Sequence, residues 1–485
     1  MGGVDKLKNI AGDERVIYAS LLIYVLFCVL FYPSYYLVND EHHYLRGAYL
    51  LTEGKFWTDN ELHGYHFPSD GERYFPRYPP GMYVLLAPFI LFGLKPVFLS
   101  GMIFHIFGVF IFVRLLKRLN IPSIAALLYL AYPPFVYYSF TIFTDYALTF
   151  FILLGWYLYL SKSSRDHFLA GLCFGFAFLL KVNAFVFFLG FFAVALWKNR
   201  KKFAWMLAGS IPFGSLHLAY NWVVYGSPFL TAYAFWDQFY GQGSNPFVTL
   251  GNWELFFINL FYQMVLLLIL YPGMVLVLFR KNEWEVLFNS VTALLFFSMI
   301  VYTSEVSKPT LMLVVQYRYI LPLTLFLIPG YYLLLSSVLS RIFGRHSRKA
   351  YFAIVVLSLI VCGLLAALIQ ASSERNERVA QSIVDNTSPN SLVLGREMSY
   401  FLNEFYARDY RSVRENMEGS SYKGYETPVD ELMSRYALVY LVSEEQESNR
   451  TIVHEERIAP KYFSGLFKTF DLKFYLVKNE SGVRS

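Results

Sequence analysis

The sequence predicts a polytopic α-helical membrane protein of about eleven transmembrane helices with a small soluble α/β domain at its C terminus. Three observations predict it. The 485 residues are 56% hydrophobic and 20% aromatic but only 16% charged, against about 25% charged in an ordinary soluble domain. The charges are segregated. Of the 76 charged side chains, 33 fall in residues 372–485, so residues 1–371 are roughly 12% charged, too few to keep a stretch of that size dispersed in water. Apolar runs recur through the first part and stop at residue 371, and about 20 apolar residues cross the hydrocarbon core. Together these exclude a soluble enzyme, a nucleic-acid-binding protein and a disordered chain, and make membrane lipids the surroundings.

The first apolar run, 16–38, follows Lys6, Lys8 and Arg15 and lacks a small-x-small cleavage site, so it reads as an uncleaved span. Further spans are expected at 96–113, 121–140, 144–160, 167–180, 183–197, 203–224, 254–279, 285–302, 319–339 and 351–371. The runs 167–180 and 183–197 are short and are separated by Lys181. Basic residues set the orientation: about 18 lie in one set of mostly short connections and about 8 in the other, so the first set is cytoplasmic. The N terminus is then inside, and residues 39–95, 225–253 and 372–485 are outside. Sequons at Asn386, Asn449 and Asn479 all fall in that external C-terminal domain. The expected division is therefore a transmembrane domain, 1–371, whose first external loop is 39–95, and an extracytoplasmic domain, 372–485. Within the latter, the pattern predicts strands near 391–395 and 437–442 and helices near 397–407 and 428–435. Cys28, Cys173 and Cys362 each lie in an apolar run and make neither a disulfide framework nor a CxxC pair.

Ionisable residues at membrane depth are costly and mark function by default. Asp40 and Glu41 directly follow the first span. They are either solvated charges at a span end or carboxylates held at the membrane surface for proton transfer. The segment after them, 44–56, reads as an amphipathic helix lying on the outer leaflet. Asp145 is the single charge between Leu119 and Ser161, at the mouth of the fourth span on the same side as Asp40. Lys181 and Arg318 also sit on that face, the wrong side for merely topogenic basic residues. They either snorkel to lipid phosphates or bind a phosphate in a pocket. Arg73 and Arg77 precede Tyr78-Pro79-Pro80, a pair of prolines that prevents helix and suggests an extended lead-in to the apolar segment 81–93. His105 and His217 read as packing or hydrogen-bonding residues. His42, His43, His63 and His66 share a loop with carboxylates but lack metal-ligand spacing, so no metal and no cofactor is expected. Walker A, GxGxxG, Asp-x-Asp, GxSxG and HExxH patterns are all absent.

The acidic pair after the first span, the long loop ending in basic-Tyr-Pro-Pro, Asp145 at the second external turn and Lys181 at the third resemble the GT-C glycosyltransferase superfamily. So do Tyr220-Asn221, Tyr225 to Phe229, and the Gln-x-Arg-Tyr-x-x-Pro stretch from Gln316 to Pro322. The pattern is most similar to protein O-mannosyltransferases and lipid A aminoarabinose transferases and covers roughly residues 16–340. The resemblance implies transfer of a sugar from a polyprenyl (dolichyl-type) monophosphate to an acceptor hydroxyl, with inversion, on the extracytoplasmic face, in the plasma membrane. It implies Asp40 as general base, with Glu41 shaping the acceptor side and Asp145 orienting the acceptor or a cationic partner. It also implies Arg318 and Lys181 around the donor phosphate; Arg77 and Arg73 either read that phosphate too or are ordinary loop charges. The acceptor remains open among a protein, a lipid-linked glycan and a surface polymer. The competing reading, a polytopic transporter or lipid flippase, calls for charges near the midplane and pseudo-symmetric halves; here the charges gather at one face.

Overall fold

A computed structural model describes residues 14–60, 72–232, 234, 253–269, 271, 273–279, 284–299, 309–395, 409–412, 433–443, 452–458 and 470–479. The chain is mostly helical, with a small sheet near the C terminus, as the composition predicts.

The helices are α1 Glu14–Leu30, α2 Asn39–Thr52, α3 Gly81–Ile90, α4 Leu99–Arg118, α5 Ala126–Leu130, α6 Pro133–Ser139 and α7 Thr144–Tyr159. They continue as α8 Ser164–Leu180, α9 Leu189–Lys198, α10 Arg200–Tyr225, α11 Trp253–Ile269, α12 Trp284–Met299, α13 Pro309–Phe343 and α14 Ser347–Asp385. Among the described residues, two helical stretches are long and apolar enough to cross a membrane unaided, Lys95–Arg118 and Arg318–Asp385. Helices α6 and α7 make a third if counted as one span bent by 115°. Several of the expected spans are divided. Pro133-Pro134 separates α5 from α6, because proline removes a backbone donor and clashes with the preceding turn. Lys181 ends α8 and a 3-10 turn, Val182–Phe187, leads to α9. The expectation of eleven spans thus meets, among the described residues, a chain of shorter apolar pieces.

Two local expectations are corrected. Residues 44–52 are helical, but as part of α2, whose Tyr44, Leu45, Arg46 and Ala48 are buried; the helix is packed inside the protein and does not lie with one face on lipid. Pro80 has φ −73° and ψ −9° and caps α3 directly, so the proline pair starts a helix, where proline's fixed φ fits and its missing N–H is not needed.

Helix α14 has 39 residues, about 58 Å at 1.5 Å per residue, nearly twice the ~30 Å hydrocarbon core. It continues past residue 372, the expected start of the soluble domain, to Asp385. The sheet follows, in the order β2-β1-β3-β5-β4, with β1 Leu392–Gly395, β2 Asp409–Ser412, β3 Leu438–Ser443, β4 Ile452–Ile458 and β5 Phe470–Asn479. Strands β2, β1 and β3 are parallel, and β5 and β4 add antiparallel. β1 and β3 are the two expected strands; the expected helix 397–407 and most of 428–435 lie outside the described residues. The sheet packs against α14: Val379, Ala380 and Ile383 share one apolar cluster with Val393, Val442, Ile458, Leu472 and Phe474. The same cluster contains Tyr35 and Tyr36 just before α2, Tyr44 and Leu45 of α2, and Met82 and Leu86 of α3. The sheet, α14 and the start of α2 therefore bury one continuous apolar region.

Candidate active site

Four charged residues far apart in sequence meet in one row. Asp40 is the second residue of α2, and Tyr78 donates to its Oδ1 at 2.6 Å. Its Oδ2 accepts from Arg318 Nη1 at 2.5 Å. Arg318 Nε faces Asp145 Oδ2 at 3.4 Å, and Asp145 Oδ1 accepts from Lys181 Nζ at 2.6 Å. Signs alternate along the row, which is how buried charges are tolerated.

Each element presents its residue for a local reason. Asp145 lies in the first turn of α7, where free N–H groups and the helix dipole favour a carboxylate. Lys181 occupies the break after α8 in an extended conformation, φ −156° and ψ 117°. Gly81 makes room for that break: a β-carbon there would lie 2.6 Å from the backbone of Leu179 and Leu180. Gly101 does the same for the turn ahead of α7, where a β-carbon would meet Ser139 O at 2.5 Å. Phe143 and Tyr319 line the cations. The Arg318 guanidinium lies 5.1 Å and 5.3 Å from the two ring centres, and Lys181 Nζ lies 4.5 Å from that of Tyr319. Such contacts favour a partly desolvated cation.

Exposure grades along the row. The side chains of Asp145 and Lys181 are 2% and 7% exposed, whereas those of Arg318 and Asp40 are 21% and 19% exposed. Asp40 and Arg318 therefore form the open end of the row, and Asp145 lies behind them, paired with both cations. Burial alone would raise the Asp40 carboxyl, but the charges of Arg318 and Arg77 and the Tyr78 hydroxyl hold it well below the usual carboxylate range.

Glu41 faces the other way. It is fully buried. Its Oε1 accepts from Ile142 N at 3.0 Å, and its Oε2 from Leu37 N at 2.6 Å and Val38 N at 3.2 Å. Reaching back from the third helical position, it supplies the acidic half of a capping box, while Val38 has no side-chain oxygen for the other half. Burial pushes its carboxyl up to about 7 against these three backbone donors. Glu41 thus ties the start of α2 to the turn before α7. Tyr44 strengthens that tie through its hydroxyl, 2.6 Å from Thr144 Oγ1.

Of the remaining candidates, Arg77 stands beside the row, its guanidinium 5.6 Å from the Tyr78 ring centre. Arg73 does not join it through its described contacts; it stacks on Trp57 and Phe75, 5.2 Å from each ring centre. His42 and His43 are fully buried next to Tyr36 and Tyr78. Among the described residues no group of three or more His, Cys, Asp or Glu side chains is placed to hold a metal ion; His63 and His66 lie outside the described residues. His105 and His217 are buried, as expected of packing residues; His105 bonds Tyr146 and Leu130 O. Tyr78 is the site residue that the sequence reading passed over. It was visible only as the aromatic of the basic-Tyr-Pro-Pro stretch.

The whole chain superimposes on ArnT from Cupriavidus metallidurans in the apo state, with a TM-score of 0.60, 13% identity, and coverage of 95% of this chain and 97% of that one. The chain has the GT-C fold. A second structure of that GT-C protein, bound to undecaprenyl phosphate, aligns with a TM-score of 0.57 at 13% identity, covering 96% of this chain and 98% of that one. No protein-family model and no curated protein matches the sequence. At 13% identity the GT-C likeness concerns the fold. The chemistry has to come from the residues of the row.

Proposed function

We propose that this chain is an inverting membrane glycosyltransferase that moves a sugar from a polyprenyl-phosphate donor to an acceptor hydroxyl. The observation that carries the reading is the Asp40–Arg318–Asp145–Lys181 row with its open end at Asp40 and Arg318. The GT-C fold supports it, as does the undecaprenyl phosphate held by the ArnT structure.

In this reading the acceptor oxygen attacks the anomeric carbon while the bond from that carbon to the phosphate oxygen breaks. The hydroxyl proton passes to Asp40, and the electron pair leaves with the phosphate. A hydroxyl is a poor nucleophile until its proton is removed, and general-base help is worth about 10²–10⁴ in rate. Attack opposite the leaving group in one displacement inverts the anomeric centre. Charge grows on the phosphate in the transition state, and fixed cations in a partly dry site stabilise it without reorganising. Arg318 is the first such cation, Arg77 stands nearby, and Lys181 supports them from behind. Arginine carries five N–H donors in a planar fork. The carboxylates engage Nη1 and Nε, and the phosphate takes the Nη2 side. The row is neutral without donor, and the incoming phosphate competes with Asp40 for Arg318, which frees the base as the donor seats. Glu41 acts as a positioning residue.

Incubating membranes that contain the protein with radiolabelled polyprenyl-phosphate sugars tests this. Label should leave the lipid for an acceptor, and transfer should survive EDTA. The cations come from the protein, and a monophosphate lacks the diphosphate oxygens that chelate a divalent ion. Label that stays on every donor tried would sink the reading. Abolition by EDTA with rescue by one metal would overturn the metal-free leaving group.

We put the site on the extracytoplasmic side of the plasma membrane; the basic connections on the opposite face support that orientation. A cysteine introduced at Ser69 should react with an impermeant thiol reagent on intact cells, and one at Ser347 should not. The reverse pattern inverts the topology.

A further inference from the structure

The segment between α1 and α2, residues 31–38, has no helix or strand, yet it aims Asp40. Backbone N–H groups without regular structure need other partners when buried. Glu41 takes those of Leu37 and Val38. Those of Ser34 and Tyr35 both go to one side chain, Ser373 of α14, at 2.8 Å and 2.7 Å. The same hydroxyl donates to Tyr35 O at 2.7 Å. A serine hydroxyl has one donor and two acceptor positions, and all three are used. Ser373 has no exposed surface. One turn on, Asn376 Nδ2 donates to Tyr36 O at 3.0 Å, and Glu377 pairs with Lys95 at 2.9 Å.

Helix geometry explains how so distant a residue reaches the site. Ser373 lies about 39 Å along α14 from Ser347 at 1.5 Å per residue, just past a hydrocarbon core of about 30 Å. The next turns carry the sheet: Ser382 Oγ donates to Glu456 at 2.5 Å, and Val379, Ala380 and Ile383 pack on the strands.

We propose that Ser373 is a positioning residue for transfer. By holding the backbone of residues 34 and 35 it sets the path into α2 and hence the aim of Asp40, and it links the strut bearing the C-terminal domain to the reaction centre. This rests on Asp40 being the base. Backbone displacement of about 1 Å away from the chemistry can cost 10²-fold. Ser373→Ala leaves one buried and one part-buried N–H group and one carbonyl without this partner, so α2 shifts.

The test compares Ser373→Ala, Asn376→Ala, Asp40→Asn and the Ser373→Ala/Asp40→Asn double variant as full chains, with monodispersity in detergent checked for each. Ser373→Ala should lower kcat about 10- to 100-fold with the donor KM within about twofold. Asn376→Ala, which spares the buried hydroxyl and serves if Ser373→Ala does not fold, should lower kcat several-fold in the same pattern. In the Asp40→Asn background, Ser373→Ala should add no further loss, because the aim of a missing base no longer matters. Wild-type kcat in both single variants overturns the proposal. So does an equal fold-loss in both backgrounds, which marks general destabilisation. Wild-type transfer by Asp40→Asn instead removes Asp40 as base, a failure of the functional reading that the single variant reports separately.

Discussion

Asp40→Asn is expected to express and behave in detergent like the parent while transfer falls at least about 10²-fold, the lower end of what a general base contributes. Asparagine keeps the size of the side chain and one oxygen for the Tyr78 hydroxyl, which donates to Oδ1 at 2.6 Å. Arg318 keeps Asp145 at 3.4 Å as a counter-charge, shared with Lys181, so the row gains one net positive charge but neither cation loses its last carboxylate. What disappears is the proton acceptor. In the parent, Arg318, Arg77 and Tyr78 outweigh burial and hold the Asp40 carboxyl well below its usual range. A depressed carboxyl stays ionised at every pH above its folded value, so Asp40 loses its base function only as pH falls through that low value. The parent should then show no loss from this group between about pH 5 and 8, a window above the ordinary Asp value of about 3.9. Raising pH should not rescue the variant. A kcat/KM profile across that window, which reports the free enzyme, checks both points. Near-normal turnover by Asp40→Asn would remove Asp40 from the mechanism.

Arg318→Lys is the second large effect, although formal charge is conserved. The guanidinium reaches Asp40 with Nη1 and Asp145 with Nε and offers further hydrogens to a phosphate. An ammonium is a point charge on a flexible stem and cannot hold three anionic partners in one plane. Losing one preorganised donor at a developing oxyanion typically costs about 10²–10³ in kcat. The phosphate charge exists in the ground state and grows afterwards, so the loss should divide between a higher donor KM and a lower kcat. Steady-state kinetics with varied donor measure the division. A variant with parental KM and kcat would show that the phosphate is bound elsewhere.

Asp40, Asp145, Lys181 and Arg318 were legible because each is a charge in an apolar setting that topology alone does not require. Their pairing was not legible, since Asp40 and Arg318 lie 278 positions apart. Glu41 shows the limit most clearly. Next to Asp40 and of the same charge, it looks like a second acid at the acceptor, and its acceptance of three backbone N–H groups appears only in three dimensions. Arg73 and Arg77 look equivalent in sequence, yet stacking on Trp57 and Phe75 holds one to an aromatic patch. Helix α2 was legible as a helix but not as a buried one, because an amphipathic pattern does not say whether lipid or protein covers its apolar side.

By itself the sequence determined the membrane class, the C-terminal domain and the four charges of the row. The cost of placing a charge or a polar run in hydrocarbon belongs to each residue and its neighbours in the chain, so it can be read in order. The tertiary structure decided which carboxylate lies at the open end of the row, which one braces backbone, and that Ser373 fastens the path to Asp40. Those assignments depend on distances of 2.5–3.4 Å between groups up to 339 positions apart. Only the packing of α2, α7, α13 and α14 against one another brings them within reach.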